Sequence, residues 1–281
     1  MENLIIISVL FAAFLHAFWN FLLRNSNDKT LSMVAVVLGH LPGGIIGIII
    51  FGFPNLESFK FIVFSVIFHF FYQVFLLNAY KHAQLSLVYP VARGLSPLII
   101  ILISSLYINE VFTKFELLGM ILISAAILAY GILINYESKD NLKGFLFSII
   151  TGIFIALYSI VDGYGARISQ NPIGFYSSLT ILNAIFFLIY SIIFQKGKIR
   201  KLFYEGKSIF FIGGTSSYVA YGIVVWACVY LPIAVVSSLR ETSILFVLLF
   251  STFLLKEKLT LFKISIISII LIGIVLIRSS I

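Results

Sequence analysis

Charge is what this sequence has least of: 11% of its 281 residues are charged, while 61% are hydrophobic. Soluble domains average about 25% charged and 45–50% apolar. At this length a soluble fold would carry more apolar surface than one core could hide. A soluble enzyme and a disordered chain are therefore excluded. Cysteine is nearly missing as well. Cys228 stands alone, so no internal disulfide exists, a secreted disulfide scaffold is ruled out, and nothing follows about redox compartment. The four histidines, at 16, 40, 69 and 82, form no H-E-x-x-H pair. Gly206-Lys207-Ser208 has the ending of a phosphate-binding loop, but Lys201 occupies the place of the required earlier glycine. With no ATP-driven motor and no ion-filter sequence, neither metal, cofactor nor catalytic residue is expected. The net charge of +8 would suggest nucleic acid in a soluble protein. Here it reads as basic loops facing anionic lipid and cytoplasm, with no nucleic-acid partner.

What the chain does have is apolar runs. A hydrocarbon core of about 30 Å requires about 20 apolar residues per helix. Ten windows of that size can be marked: 4–23, 31–53, 61–80, 85–108, 115–135, 144–163, 173–194, 209–231, 233–255 and 261–277. Runs such as Leu98-Ile99-Ile100-Ile101-Leu102 do not alternate as the strands of a membrane barrel would, so the spans are helical. Met1-Glu2-Asn3 offers no basic flank, and the first run reads as a spanning helix rather than a signal peptide. The connections, of which 195–208 is the longest, are too short for a separate domain.

Lysine and arginine in the loops set an orientation. One face carries Lys60, Lys114, Arg167 and Arg278 together with both termini. The other carries Arg24, Lys29, Lys81, Lys139, Lys143, Lys196, Lys198, Arg200, Lys201, Lys207, Lys256, Lys258 and Lys263. Thirteen against four makes the second face cytoplasmic and points the termini outward. The basic run at 196–201 is then a topology signal.

The halves resemble each other. Residues 109–115 align with 256–262 at an offset of 147, which also sets Arg93 on Arg240 and Glu110 on Glu257. At an offset of 142, His16 and Asn20 align with Tyr158 and Asp162. The chain divides into a first five-helix repeat over 1–135 and a second over 136–281. Five is odd, so the second must enter the membrane inverted, a signature of secondary transporters whose site lies where the repeats meet.

Polar groups inside spans are expensive and mark function. His16, Trp19, Asn20 and Arg24 fall on one helical face, and the sixth window carries Tyr158 and Asp162 with Arg167 just beyond. Interhelical hydrogen bonding is the plainer use of such groups, but their repetition favours a shared cavity. Arg93 and Arg240 lie eight or nine residues into their windows, a depth of about 12 Å, too deep for easy snorkelling. Arg240 is followed by Glu241, whereas Arg93 has Gly94 and Asn20 where its counterpart has acids. An unpaired guanidinium there suits a carboxylate or phosphonate, the other possibility being backbone carbonyls or Asp162. Pro90, Gly94 and Pro97 are expected to interrupt the helix near Arg93 and mark a site or hinge. Gly39, Gly43 and Gly47 form a close-packing stripe. Tyr72, Tyr89, Tyr158, Tyr221 and Trp226 are candidate cavity aromatics, while most of the 29 phenylalanines face lipid.

These residues carry a resemblance. Ten spans, two inverted halves, and glutamates after the fourth and ninth spans (Asn109-Glu110, Lys256-Glu257) are similar to the EamA-type branch of the drug/metabolite transporter superfamily. His16-Ala17-Phe18-Trp19-Asn20, Tyr89-Pro90-Val91-Ala92-Arg93-Gly94 and Asp162-Gly163-Tyr164-Gly165-Ala166-Arg167 resemble a bacterial subgroup, some of it named for an association with phosphonate use. The resemblance implies a central cavity between the repeats, alternating access, and export or exchange of amino acids or related metabolites. Some members are described with cytoplasmic termini, against the charge count. The expectation is an all-α, ten-span secondary transporter of a bacterial inner membrane, monomer or homodimer, with a small-molecule substrate and the lipid bilayer as partners. Arg93, Arg240 and Glu241 would serve the substrate's charge, and His16, Asn20, Tyr158 and Asp162 would shape the cavity. Tyr72, Tyr89 and Tyr221 would line it, and Trp19 or Trp226 would stack or gate. Asp162, Glu241 or His16 could exchange protons. The alternatives are a membrane-embedded enzyme acting on a lipid or polyprenyl carrier, which would need a clustered nucleophile or acid/base pair, and a non-transporting scaffold.

Overall fold

The computed structural model describes residues 2–24, 28–134, 142–253, 256 and 260–280. Glu257, the counterpart of Glu110, lies outside the described residues, as do Lys139, Lys258 and the side chain of Arg24. Among the described residues there are helices and no strands.

Among the described residues, ten helices are long and apolar enough to cross a membrane: α1 (Glu2–Phe21), α2 (Lys29–Phe51), α3 (Leu56–His82), α4 (Ser86–Ile108), α5 (Lys114–Leu133), α6 (Leu142–Ile168), α7 (Pro172–Phe194), α8 (Ile209–Ala227), α9 (Ile233–Phe253) and α10 (Leu261–Ser279). They follow the ten expected windows, with shifted edges. α6 runs to Ile168 and so takes Arg167 into the helix instead of leaving it beyond the end. A short basic helix, Lys198–Glu205, occupies the loop read as a topology signal. It is tied to the start of α2 by an ion pair between Lys198 and Asp28.

Packing follows a pseudo-two-fold relation between α1–α5 and α6–α10. The α3/α6 contact is matched by α8/α1, and α4/α6 by α9/α1, while α2 packs on α7 and α5 on α10. The backbone repeats too. Asn109 and Lys256, aligned in sequence, both take left-handed conformations, with φ of 59° and 55°. Such a residue ends a helix by turning its N–H back to the last carbonyls; at Asn109 the bond runs to the Ser104 carbonyl.

The prolines of α4 do not break it. Contrary to expectation, Leu85–Ile103 is one continuous helix through Pro90, Gly94 and Pro97. Pro97 removes one N–H, and the Arg93 carbonyl it would have served accepts from the Ser96 hydroxyl instead, at 3.3 Å. In α9, which has no such proline, the helix ends at Glu241 and restarts at Ser243. There the Thr242 hydroxyl donates to the Leu239 carbonyl at 2.6 Å, competing with the helical ladder. α2 also breaks, between Leu38 and Leu41.

The glycine stripe of α2 seats it against α7 and α8. A Cβ on Gly39 would lie 2.2 Å from the Phe210 carbonyl oxygen, one on Gly43 2.6 Å from the Tyr218 ring, and one on Gly47 2.1 Å from Ser177 Oγ. Ile49, Ile50, Phe194 and Val275 point outward, where lipid would cover them. α9 is at the centre: every residue from Ile233 to Leu245 is buried. That placement puts Arg240, Glu241 and the Thr242 break in the middle of the molecule.

Candidate functional site

Three charged groups meet where α4 and α9 cross. Arg93 donates to both oxygens of Glu241, at 3.1 and 3.2 Å. Arg240 donates to Glu241 Oε1 through Nε and a terminal nitrogen, at 3.0 and 2.8 Å. Arg93 is thus paired, correcting the expectation of an unpaired guanidinium. Its partner is Glu241 of the other half, rather than backbone or Asp162. Two guanidiniums share one carboxylate, so this cluster holds one positive charge in excess. The Glu241 side chain is fully enclosed, and those of Arg93 and Arg240 are 10% and 3% exposed. Arg93 lies over the Tyr89 ring at 5.4 Å and Arg240 over the Tyr221 ring at 5.6 Å, both cation–π distances.

His16 of α1 completes this wall. The Trp19 indole N–H points at its Nδ1 at 3.3 Å, and Arg93 approaches its Nε2. Asn20 donates to the His16 carbonyl at 2.7 Å, and the Tyr89 hydroxyl bonds Ser243, just past the α9 break, at 3.0 Å.

A second polar cluster surrounds Asp162, which is 1% exposed. Tyr221 donates to its Oδ2 at 2.7 Å, His69 Nε2 lies 3.0 Å from the same oxygen, and Ser65 donates to Oδ1. The His69 ring stacks on Tyr158 at 4.0 Å. Nothing in the sequence reading singled out His69, although His69, Tyr72, Gln73 and Leu76 recur at the spacing of one helical face.

Four spaces string these clusters along one path. A vestibule of about 440 Å³ is lined at its mouth by Lys29, Gln84 and Lys263, on the lysine-rich face. It shares Asn20, Lys29 and Tyr89 with a neck of about 40 Å³, bounded further in by Trp19, Tyr72 and Arg93. The neck shares Trp19, Tyr72 and Arg93 with a central chamber of about 60 Å³, whose walls include His16, His69, Tyr158, Tyr221 and Arg240. Beyond Tyr221 and Arg240 the path narrows to about 10 Å³ beside Asp162, Cys228 and Ile233.

It ends at a latch. Arg167 donates to Glu110 at 2.7 Å, to the Cys228 carbonyl at 2.7 Å and to the Leu231 carbonyl at 2.9 Å, and Glu110 also accepts the Ile233 N–H at 2.9 Å. Asn55 and Asn171 add bonds to the Ile168 and Phe51 carbonyls on the same face. The molecule is open on the lysine-rich face and closed on the other.

Most of the expected residues come together here. Trp19, Tyr72, Tyr89, Tyr158, Tyr221, His16, Asn20, Arg93 and Arg240 line the path, Asp162 lies at its narrow end, and Glu241 sits behind the arginines. Trp226 does not join them. It packs into the apolar core and against Tyr230, with rings 5.3 Å apart. Five residues beyond Tyr221, it points about 140° away around the same helix.

Ten spanning helices around a buried polar path define a multi-pass membrane protein. The model of the EamA-like transporter family matches residues 3–132 and again 142–279, and the chain belongs to that family of membrane transporters. A protein of known crystal structure is similar over 98% of this chain and 95% of its own, with a TM-score of 0.74 and 14% identity; at that identity the likeness concerns the fold alone. No curated protein matches in sequence.

Proposed function

We propose that the chain is a secondary transporter of a bacterial inner membrane, moving a small polar metabolite with an anionic group by alternating access. The observation that carries this reading is the pair of guanidiniums sharing one carboxylate on the wall of a chamber reached from one face. A buried ion cluster gains little stability over apolar packing of the same volume, so its use lies elsewhere than in folding. His16 adds to the argument. A neutral imidazole has one acceptor nitrogen, yet both of its neighbours, the Trp19 indole and Arg93, only donate. An acceptor group entering between His16 and Arg93 would accept from the His16 Nε2–H and from the Arg93 guanidinium and take up the excess charge. Alternating access is supported by the asymmetry between an open vestibule and a latched opposite end. With the lysine-rich face in the cytoplasm, the vestibule loads from inside, which favours export or exchange.

The test is counterflow in proteoliposomes against a panel of organic anions, amino acids and phosphonates, alongside a thermal-shift screen of the purified protein. Arg93→Ala and Arg240→Ala are each expected to lower transport of the stabilising compound by tenfold or more, about 1.4 kcal/mol or above. A well-inserted double variant that transports every compound like wild type overturns the reading. Reporter fusions at the C-terminus test orientation, and a cytoplasmic signal would reverse the direction of loading.

A further inference from the structure

On the arginine wall of the chamber, built by α1, α4 and α9, both guanidiniums have a partner in Glu241. The wall built by α2, α3 and α7 differs. Gln73, Tyr176 and Asn183 line the chamber and are 3%, 2% and 4% exposed. Gln73 Oε1, Asn183 Oδ1 and the Tyr176 hydroxyl, with His40 Nε2 beside them, have no hydrogen-bond partner among the described residues. Buried polar atoms are rarely left this way, and each such atom in a native site calls for a ligand or ordered water. Four on one wall of one cavity is a concentration rather than a stray. The groups are also held in place. The Tyr176 ring stacks on Tyr218 at 5.0 Å and meets Tyr221 edge-on at 5.6 Å. Tyr176, Leu179, Thr180 and Asn183 form one face of α7, as His69, Tyr72, Gln73 and Leu76 do on α3.

We propose that Gln73, Tyr176 and Asn183, with His40, form a second substrate subsite that reads a neutral hydroxyl or carboxamide on the substrate anion. The proposal rests on the carrier reading above. Amide carbonyl oxygens need a donor and a tyrosine hydroxyl can give one; a hydroxyl donates to one carbonyl while accepting from the tyrosine, and a carboxamide, with two N–H donors and one acceptor, meets all three. A second anion is disfavoured by the carbonyl oxygens. An ammonium is disfavoured because, among the described residues, the chamber lining holds two guanidiniums and no carboxylate, with Glu241 and Asp162 off the lining. Size gives a further bound. At about 10–15 Å³ for each water-sized occupant, a chamber of about 60 Å³ takes four to six such occupants, the size of a two- or three-carbon hydroxy acid.

Matched pairs of acids test this: lactate against propionate and glycolate against acetate, with alanine as the zwitterion of the same length. Dissociation constants are measured on the purified full chain in nanodiscs. Wild type is expected to bind lactate at least about tenfold tighter than propionate, because a site built to hydrogen-bond a hydroxyl penalises its loss. Gln73→Leu and Asn183→Leu should cut that ratio to about threefold or less while propionate affinity stays within about twofold, which also shows that the variants fold. Equal binding of lactate and propionate by wild type overturns the subsite, as does a ratio that both variants leave unchanged, the result expected if only water fills this wall. Alanine binding more tightly than lactate replaces the neutral group with an ammonium and overturns the assignment. If no acid binds wild type at all, the anion-carrier reading falls together with the subsite.

Discussion

Glu241 shows how little of a buried charge cluster is local. Its bond to Arg240 joins sequence neighbours, but its bonds to Arg93 span 148 positions and exist only because α4 crosses α9. Removing this carboxylate would leave two guanidiniums without an anion. Glu241→Gln should therefore destabilise the fold by about 3–5 kcal/mol, the usual cost of breaking a buried pair. Thermal unfolding in detergent measures it, and added small anions should restore part of the loss. A variant that melts like wild type, or ignores anions, would contradict the charge assignment. Arg93 and Arg240 themselves are plain in the sequence, because arginine deep in an apolar span is rare. Their partner was half legible: adjacency suggested Arg240, and nothing suggested Arg93. Trp226 failed for a simpler reason, since aromatic residues serve core, lipid and cavity alike and only their direction around the helix separates those uses.

Among the elements, α2 is the most closely fitted. Gly39 meets backbone on α8, which cannot swing aside as a side chain can, so Gly39→Ala should cost about 1–3 kcal/mol by overpacking. Gly213 is the control. A Cβ there would meet its nearest neighbour at 3.4 Å, and Gly213→Ala should be neutral or stabilising through helix propensity, by up to about 1 kcal/mol. Melting temperatures of the two variants should move in different directions. The start of α2 carries a charge link as well. Asp28 caps it by accepting the Leu31 N–H at 3.0 Å, and pairs with Lys198. Burial raises the Asp28 pKa, but the Lys198 bond, the Leu31 N–H and the nearby Lys201 outweigh it and hold the carboxyl below its ordinary value. A lowered carboxylate pKa adds stability above the unfolded value of about 4 and loses it as pH falls through the folded one. Asn caps as well as Asp, so Asp28→Asn removes only the ion pair. Its melting deficit should be present at neutral pH and vanish in acid; a deficit that persists in acid would place the role in the cap instead.

At the scale of the whole molecule, Arg167 ties α6 to Glu110 and to the segment joining α8 and α9 on the face that carries the termini. Its carbonyl partner, Cys228, is the only cysteine in the sequence and is buried, which makes it a native reporter of opening. Arg167→Ala or Glu110→Gln removes charge-assisted bonds worth about 1.5–3 kcal/mol each. Labelling of Cys228 by an impermeant maleimide, applied from the face that carries the termini, should then rise by about tenfold or more. Labelling that is unchanged in both variants would show that the latch does not hold that face closed.

Apolar content and window length determined the number of spans, because the thickness of the bilayer leaves a chain with 61% hydrophobic residues few other solutions. Aligned Arg and Glu positions revealed the duplication, and an odd number of spans per half required the inversion. The prolines of α4 misled, since a side-chain hydroxyl can replace one lost backbone bond, while the actual break in α9 falls at a threonine. What only the tertiary structure decided is which polar groups are satisfied. Glu241 neutralises one of two arginines, His69 serves Asp162, and Gln73, Tyr176 and Asn183 are left facing a chamber. Hydrogen bonding depends on distance and direction between helices far apart in the chain, and periodicity along one helix does not contain them.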